Sequence, residues 1–503
     1  MQTSIIRLFL LPRAQKISDY DTKSEALQQK VLRRLVASSE RTEWGGKYGY
    51  YSIHSYEDFA SRVPLSDYDD LKDYIERMRH GEKDVLWPGQ VKWFAKSSGT
   101  TNDKSKFIPV SNEGLRDTHY QGGTDCVAIY LQRYSDSCLF DSGGKGLILG
   151  GSHAPNYNLP QSLVGDLSAI LIENINPAVN LLRVPDKETA LISDFEEKMD
   201  KIARAVKDVN VTNLSGVPSW MMAVLKHTLS ITGKNNLCEL WPNLEVFFHG
   251  GVAFTPYVEQ YKQLIPNEKM RYEETYNASE GFFGIQDDPT DAAMKLMIDY
   301  GVFYEFIPMS EFGKENPTVV PLWGVETGKN YAMVISTSCG LWRYILGDTV
   351  RFTQKNPYKF VITGRTKHFI NAFGEELIVD NAEKGLKKAC AETGARVHEY
   401  TAAPVFMDGN AKCRHQWIVE FDTLPSDIHA FAESLDKALR EINSDYEAKR
   451  YKDITLQSLE VIVARKGLFH DWLKEKGKLG GQHKVPRLCN TRQYADELLA
   501  MNF

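Results

Sequence analysis

Cysteine is sparse in this chain. Seven of the 503 residues (Cys126, Cys138, Cys238, Cys339, Cys390, Cys413 and Cys489) are scattered, and none are spaced C-x-x-C. An odd, dispersed set suggests neither a disulfide framework nor a cysteine-based zinc site, and it sets a reducing cytoplasm as the expected compartment. Long hydrophobic runs are missing too. The run Ile5–Leu11 is interrupted by Arg7 and stopped by Pro12. It is too short to span a membrane and no small-residue cleavage site follows, so no export signal is expected. Charge of one sign is not in excess, with 60 Lys+Arg against 66 Asp+Glu and a net −6, which gives no global reason to bind nucleic acid or an anionic membrane. There is no internal repeat. The 42% hydrophobic and 25% charged content, with 36 Gly and 20 Pro dispersed, excludes collagen-like, low-complexity and largely disordered chains. At roughly 100–200 residues per domain, two or three domains are expected.

What is present is an alternation of helical and strand-like segments. Before residue 90 the pattern is helical, with Leu27, Val31 and Leu35 recurring every four residues as one apolar stripe. From Trp93 to Phe360, β-rich runs such as Gly146–Leu149, Leu244–Phe248 and Ala332–Ser336 alternate with helical stretches, Val258–Leu264 among them. Short apolar runs bounded by glycine suit the buried strands of an α/β domain. The tail has its own order. Asn381–Ala391 reads as a helix stopped by Gly394, and Val397–Phe406 and Gln416–Phe421 read as strands flanking Asp408-Gly409-Asn410. Ser426 or Asp427 can cap a helix whose Ile428, Phe431, Leu435, Leu439 and Ile442 share a face, and Leu459–Val463 reads as a further strand. This predicts a small α+β domain after about residue 360.

Several runs carry chemistry. Ser97-Ser98-Gly99-Thr100-Thr101-Asn102-Asp103-Lys104-Ser105-Lys106 gathers hydroxyls around a glycine and adds two lysines. Such donors can cradle an anion; the plainer alternative is a polar surface turn. The spacing G-x-x-x-x-G-K-[ST] is absent. Tyr276-Asn277-Ala278-Ser279-Glu280-Gly281 sets a carboxylate beside a glycine in an otherwise apolar stretch. One carboxylate can hold Mg2+ together with phosphate oxygens, or the segment can cap a helix. Arg343-Tyr344-Ile345-Leu346-Gly347-Asp348 ends a hydrophobic strand pattern in Gly-Asp; its carboxylate can accept from two ribose hydroxyls, or the pair can be a simple turn. Gly144–Gly151 has glycines that flank a strand, and Asn156–Pro160 opens no helix, which excludes a dinucleotide fingerprint. Arg465, Lys466, Lys474, Lys476, Lys478, Lys484, Arg487 and Arg492 face only Asp471 and Glu475 in their stretch. They form either a solvated basic face or a lysine-bearing loop aimed at a polyphosphate, and they lack the aromatic interleaving of a nucleic-acid patch.

Taken in order, these segments resemble the acyl-adenylate-forming enzymes, and within them the auxin-responsive family of acyl-acid amido synthetases, in its bacterial type. Ser97–Lys106 resembles the family's phosphate loop, S-S-G-T-T-x-G-x-x-K. Gly250-Gly251-Val252-Ala253 resembles the glycine pair that backs the adenine, Tyr276–Gly281 the Y-x-x-S-E-G motif, and Tyr344–Asp348 the Y-R-x-G-D motif. Gly364-Arg365-Thr366-Lys367 with Gly374 is similar to the hinge of the wider superfamily, and Gly481–Arg487 to its C-terminal catalytic lysine loop. Thr42–Gly49 and Ser55–Gly81 look like the family's own leader, which separates it from coenzyme A ligases. Two positions depart from the pattern: Asn102-Asp103 replaces the loop glycine, and Ile345 stands where arginine is common.

The resemblance implies an α/β fold with a large adenylate-forming domain of mixed sheets and helices over residues 1–364 and a smaller, mobile α+β domain over 365–503. It implies ATP-dependent adenylation of a carboxylic acid, then amide formation with an amino acid or another amine, with ATP and Mg2+ as cofactors and no nucleic-acid or membrane partner. By matched position, Ser97, Ser98, Thr100, Thr101 and Lys106 would meet phosphate, with Ser279 also at the nucleotide. Tyr276 and Gly251 would line the adenine, Asp348 would hold the ribose with Arg365 nearby, and Glu280 would hold Mg2+. Lys484 and Lys106 would be catalytic and Lys367 the hinge. The alternatives are transfer of the acyl group to coenzyme A or a carrier thiol, and a non-catalytic nucleotide- or acyl-acid-binding protein of the same fold. The acyl acid is not legible: His119, Tyr120 and Tyr130 either line its pocket or form a helix stripe.

Overall fold

The computed structural model of the chain describes residues 2–97, 106–251, 254, 257–366, 369–375, 377–406, 413–450, 453, 456–476 and 486–502. These fall into two compact units, one drawn from residues up to 366 and one from the residues that follow together with Tyr257.

The first unit opens with helices. Gln2–Ser18 runs through Pro12 without stopping there. Pro12 sits on the water-facing side with Leu8 and Leu11, where the backbone carbonyl it deprives of a partner can be solvated. Tyr20–Ser38 buries Val31, Leu32, Leu35 and Val36, so the four-residue stripe is the packed face. Arg13 clasps Asp125 at 2.6 Å and Asp299 at 2.7 Å, tying the first helix to the body of the unit.

Among the described residues the centre is a 12-stranded mixed sheet. Its strands follow the spatial order Val320–Pro321, Val302–Pro308, Asn330–Thr337, Tyr344–Lys355, Tyr358–Arg365, Met294–Leu296, Gly281–Ile285, Arg271–Ala278, Val246–Gly250, Val211–Gly216, Lys145–Ile148, Arg183–Val184. From Arg271–Ala278 to Arg183–Val184 neighbours pair parallel; from Gly281–Ile285 to Val320–Pro321 they pair antiparallel. The sheet therefore changes character at the hairpin joining Arg271–Ala278 to Gly281–Ile285. One apolar core joins the leader helices to the antiparallel half, with Leu35, Phe59, Leu71 and Ile75 packed in the same cluster as Phe303, Tyr304 and Trp342. A small three-stranded sheet pairs Trp93–Ser97 antiparallel with Lys106–Val110 and parallel with Leu163–Gly165.

The second unit is helix, hairpin, helix, strand. Val379–Thr393 precedes the antiparallel strands Arg396–Val405 and Arg414–Thr423; Ile428–Ile442 then crosses to Glu460–Ala464, which lies parallel to Arg414–Thr423. Of the two cap candidates Asp427 is used, its carboxylate accepting from the His429 N–H at 2.8 Å. Phe431, Leu435 and Leu439 are buried, as the helical spacing requires. The expected turn Asp408-Gly409-Asn410 lies outside the described residues. Among the described residues no helix is long and apolar enough to cross a membrane.

Candidate functional site

Ligands of open α/β sheets bind outside the carboxyl ends of the parallel strands, near the point where the topology changes. Here four of the five consecutive parallel strands end at Ile148, Gly216, Gly250 and Ala278. Glycine ends or closely follows three of them (Gly150-Gly151, Gly216, Gly250-Gly251), and at Gly150, Gly151 and Gly250 a Cβ would run into Ile172, Asp166 and the Thr275 carbonyl, so close packing within the protein requires glycine there. Gly251 has φ +85°, a conformation a side chain would strain. The carbonyls of Gly150 and Gly151 are held by the buried ammonium of Lys198, at 2.5 and 3.0 Å. Burial pulls the pKa of Lys198 down to about 8, with Asp166 opposing.

Ser279 and Glu280 are the two turn residues of the hairpin at the topology change, so this segment is a strand connection and caps no helix. Both are half-buried. Just before the turn the register slips: Tyr276 lies opposite Gly284 and Asn277 opposite Phe282, leaving Phe283 as an extra residue. Such a bulge re-aims side chains. Tyr276 is buried against Phe283 and Phe360, and its phenol donates to Asp348 Oδ2. Burial, then the Asp348 charge, push the phenol pKa up, so the hydroxyl stays protonated and keeps donating.

A second irregularity brings Asp348 there. Ile345 pairs with Val334 but Thr349 with Ala332, so two extra residues are looped into the strand Tyr344–Lys355. Gly347 absorbs the distortion at φ +97°. Asp348 thereby lies directly opposite Arg365, whose Nε donates to Asp348 Oδ1 at 2.6 Å. The expectation that Gly-Asp ends a strand is corrected: the strand continues to Lys355. Buried Val350 and Phe352 alternate with exposed Arg351 and Thr353 beyond the motif, and this alternation sustains it. Glu280 lies close enough to act electrostatically on both Tyr276 and Tyr344. Tyr276, Glu280, Asp348 and Arg365, predicted from three separated motifs, therefore share one neighbourhood.

Ser97 and Lys106 face each other across the antiparallel pair that flanks the hydroxyl-rich run. Ser98, Thr100, Thr101 and the Asn102-Asp103 departure lie outside the described residues, as do Lys367 and Lys484. Next to the Lys484 run, in the second unit, Pro486 and Arg487 are anchored to the strand Arg396–Val405: Thr401 Oγ1 donates to the Pro486 carbonyl at 2.7 Å and the Ala402 N–H to the Arg487 carbonyl at 2.8 Å. The Arg487 guanidinium pairs with Glu383 and sits 5.4 Å over the Tyr400 ring.

Three contributors have no role that the sequence alone assigns. Lys198 looks like any amphipathic helix lysine until its acceptors are known. Arg343 has φ +43° and is buried, its guanidinium paired with Glu305 at 2.9 Å and donating to the carbonyls of Ala60 and Val63. Tyr68, from the leader, accepts from the Phe107 N–H at 2.9 Å and lies 5.7 Å beneath the Lys106 ammonium. Beside it, Ser66 accepts from the Ile345 N–H at 2.8 Å and donates to the Arg343 carbonyl at 3.0 Å, so the leader ties the Asp348 strand to the hairpin bearing Ser97 and Lys106. The hydroxyls of the pocket candidates are engaged by protein: Tyr120 donates to the Leu171 carbonyl, and Tyr130 bonds to Glu245 and Arg271. His119 is buried with no partner at Nδ1 among the described residues, and burial drops its pKa to about 4. Among the described residues no group of three or more acidic, His or Cys side chains could hold a metal ion. A single carboxylate such as that of Glu280 would suit only a Mg2+ that draws its other ligands from phosphate and water.

The chain matches the GH3 family N-terminal domain over residues 13–270, the GH3 family central domain over 295–365 and the GH3 family C-terminal domain over 380–493. It is 23% identical to the indole-3-acetic acid-amido synthetase GH3.3 of Arabidopsis thaliana, over 94% of this chain and 90% of that protein. It is 25% identical to the jasmonoyl–L-amino acid synthetase GH3.5 of Oryza sativa subsp. japonica, over 92% of each. Its fold is that of the AtGH3.15 acyl acid amido synthetase solved in complex with 2,4-DB, with a TM-score of 0.62 at 19% identity, covering 99% of this chain and 96% of that one. It is also similar to a 2-hydroxyisobutyryl-CoA ligase, with a TM-score of 0.57 at 12% identity, covering 95% and 91%.

Proposed function

Because this chain belongs to the GH3 family, we propose that it is a ligase that activates a carboxylic acid with ATP and passes the acyl group to an amino acid or another amine. The observation that carries the reading is the convergence of Tyr276, Glu280, Asp348 and Arg365 at the change of sheet topology. In the first step a carboxylate oxygen bonds to the α-phosphorus and the bond to the β-phosphate oxygen breaks, releasing pyrophosphate. In the second, the amine nitrogen bonds to the acyl carbon, the carbon–oxygen bond to AMP breaks, and the amine sheds a proton.

The first step forces an anion onto an anion, so charge must be neutralised where it builds. Ser97, Ser98, Thr100, Thr101 and Lys106 would receive the phosphates, and each well-aimed donor is worth about 3–4 kcal/mol by analogy with oxyanion-hole deletions. Asp348, held by Tyr276 and Arg365, would accept the ribose hydroxyls through its remaining lone pairs. Gly251 and Tyr276 would back the adenine, with Ser279 beside them. Glu280 would hold Mg2+, which supplies charge neutralisation on the phosphates. The part of the chain that follows Lys367 would swing about that residue to bring Lys484 to the reacting phosphorus and to exclude water from the mixed anhydride. The absence of cysteine pairing supports a reducing cytoplasm as its compartment.

The test crosses a panel of carboxylic acids with amino acids in the presence of MgATP, scoring pyrophosphate release and product mass. Acid-dependent release yielding AMP and an amide is expected. A thioester formed from coenzyme A under the same conditions would select the thiol alternative, and MgATP binding without acid-dependent release would select the non-catalytic one.

A further inference from the structure

Among the described residues Lys106–Val110 is the outer strand of its three-stranded sheet, and an outer strand turns part of its backbone N–H groups away from the ladder. The Phe107 N–H finds its acceptor in the Tyr68 hydroxyl, at 2.9 Å. The same ring lies 5.7 Å from the Lys106 ammonium, within cation–π range. One leader side chain thus touches the backbone just after the hydroxyl-rich run and the cation that closes it.

Tyr68 is itself well fixed. It is buried and opens the helix Tyr68–Arg79. The Asp67 carboxylate caps that helix, accepting from the N–H groups of Asp69 at 2.8 Å and Asp70 at 3.3 Å. On its other side Ser66 is held by both neighbours of Tyr344, through the Arg343 carbonyl and the Ile345 N–H. The ring therefore has one place to be, and it transmits that place to Lys106.

We propose that Tyr68 is a positioning residue for triphosphate binding: its hydroxyl sets the backbone after the phosphate run and its ring sets the Lys106 ammonium. The proposal rests on the reading that Lys106 meets the phosphates of ATP. It makes the leader a working part of the nucleotide site, where the phosphate, ribose and lysine motifs do not reach.

The test compares Tyr68→Phe, which removes one oxygen and keeps the ring, with Tyr68→Leu, which removes both contacts. MgATP affinity is measured by calorimetry and adenosine affinity by NMR titration. The lost hydrogen bond should weaken MgATP about five-fold in the Phe variant, and loss of the ring should weaken it a further three-fold or about that in the Leu variant. Adenosine, which has no phosphate for Lys106 to meet, should bind both variants as it binds the wild type. MgATP affinity within about two-fold of wild type in Tyr68→Phe would overturn the proposal, as would equal losses for adenosine and MgATP, since those mark a general structural role. If Tyr68→Leu does not fold, Tyr68→Phe decides alone. Acid-dependent pyrophosphate release by the wild type is scored separately. Its absence with MgATP still bound would refute the amide-forming reading while the Tyr68 comparison stands; a wild type that binds no MgATP would overturn both.

Discussion

At the scale of single residues, Asp348 is the point where the nucleotide-site contacts meet. It is buried, yet one oxygen accepts from Tyr276 and the other from Arg365, which leaves an oriented carboxylate with lone pairs to spare. Asp348→Ala should weaken nucleotide binding about 10- to 100-fold, the worth of charge-assisted hydrogen bonds; an unchanged dissociation constant by calorimetry would remove it from the ribose role. Lys198 gives a pH prediction. Its folded pKa of about 8 lies below the roughly 10.4 of an unfolded lysine. Between those values the unfolded chain binds more protons, so stability should rise with pH. Denaturant unfolding from about pH 7 to pH 10 should show the wild type gaining on Lys198→Met above pH 8, whereas parallel profiles would mean that the lysine titrates normally. The residue types at Tyr276, Glu280 and Asp348 were legible because chemistry restricts them. Tyr68, Arg343 and Lys198 were not, because each acts through partners far away in sequence.

At the scale of elements, most helices and strands were readable from period and glycine punctuation; Val258–Leu264 is a helix with the bounds expected from its sequence. Registers were not. The extra residues in Tyr344–Lys355 and opposite Tyr276 aim the site, and nothing in a local hydrophobic pattern records a two-residue slip. The same holds for Pro12, whose helix-breaking chemistry is absorbed because that side of the helix faces water. Gly347 is the pivot of the larger slip. Gly347→Ala should cost about 1–3 kcal/mol by forcing a side chain into a sparsely populated conformation, seen as a lowered thermal midpoint together with weaker MgATP binding. A variant equal to wild type in both would show that the bulge needs no glycine.

At the scale of the whole molecule, the composition and the tail's helix–hairpin–helix–strand order pointed to α/β and α+β parts, but the 12-strand order could not be read. Its neighbours are chosen by long-range pairing, and the switch from parallel to antiparallel partners becomes visible only when the sheet is assembled. Division of labour between the two parts gives a further prediction. Lys484→Ala should abolish acid-dependent exchange of pyrophosphate into ATP while MgATP binding stays measurable, and undiminished exchange would exclude that lysine from the first step.

The central claim is that the acid is activated as an adenylate. A carboxylic acid carrying heavy oxygen in its carboxyl group tests it most directly, with mass spectrometry of the nucleotide and phosphate products after one turnover. The account predicts AMP carrying one heavy oxygen and unlabelled pyrophosphate; label in inorganic phosphate with ADP as the nucleotide product would contradict it.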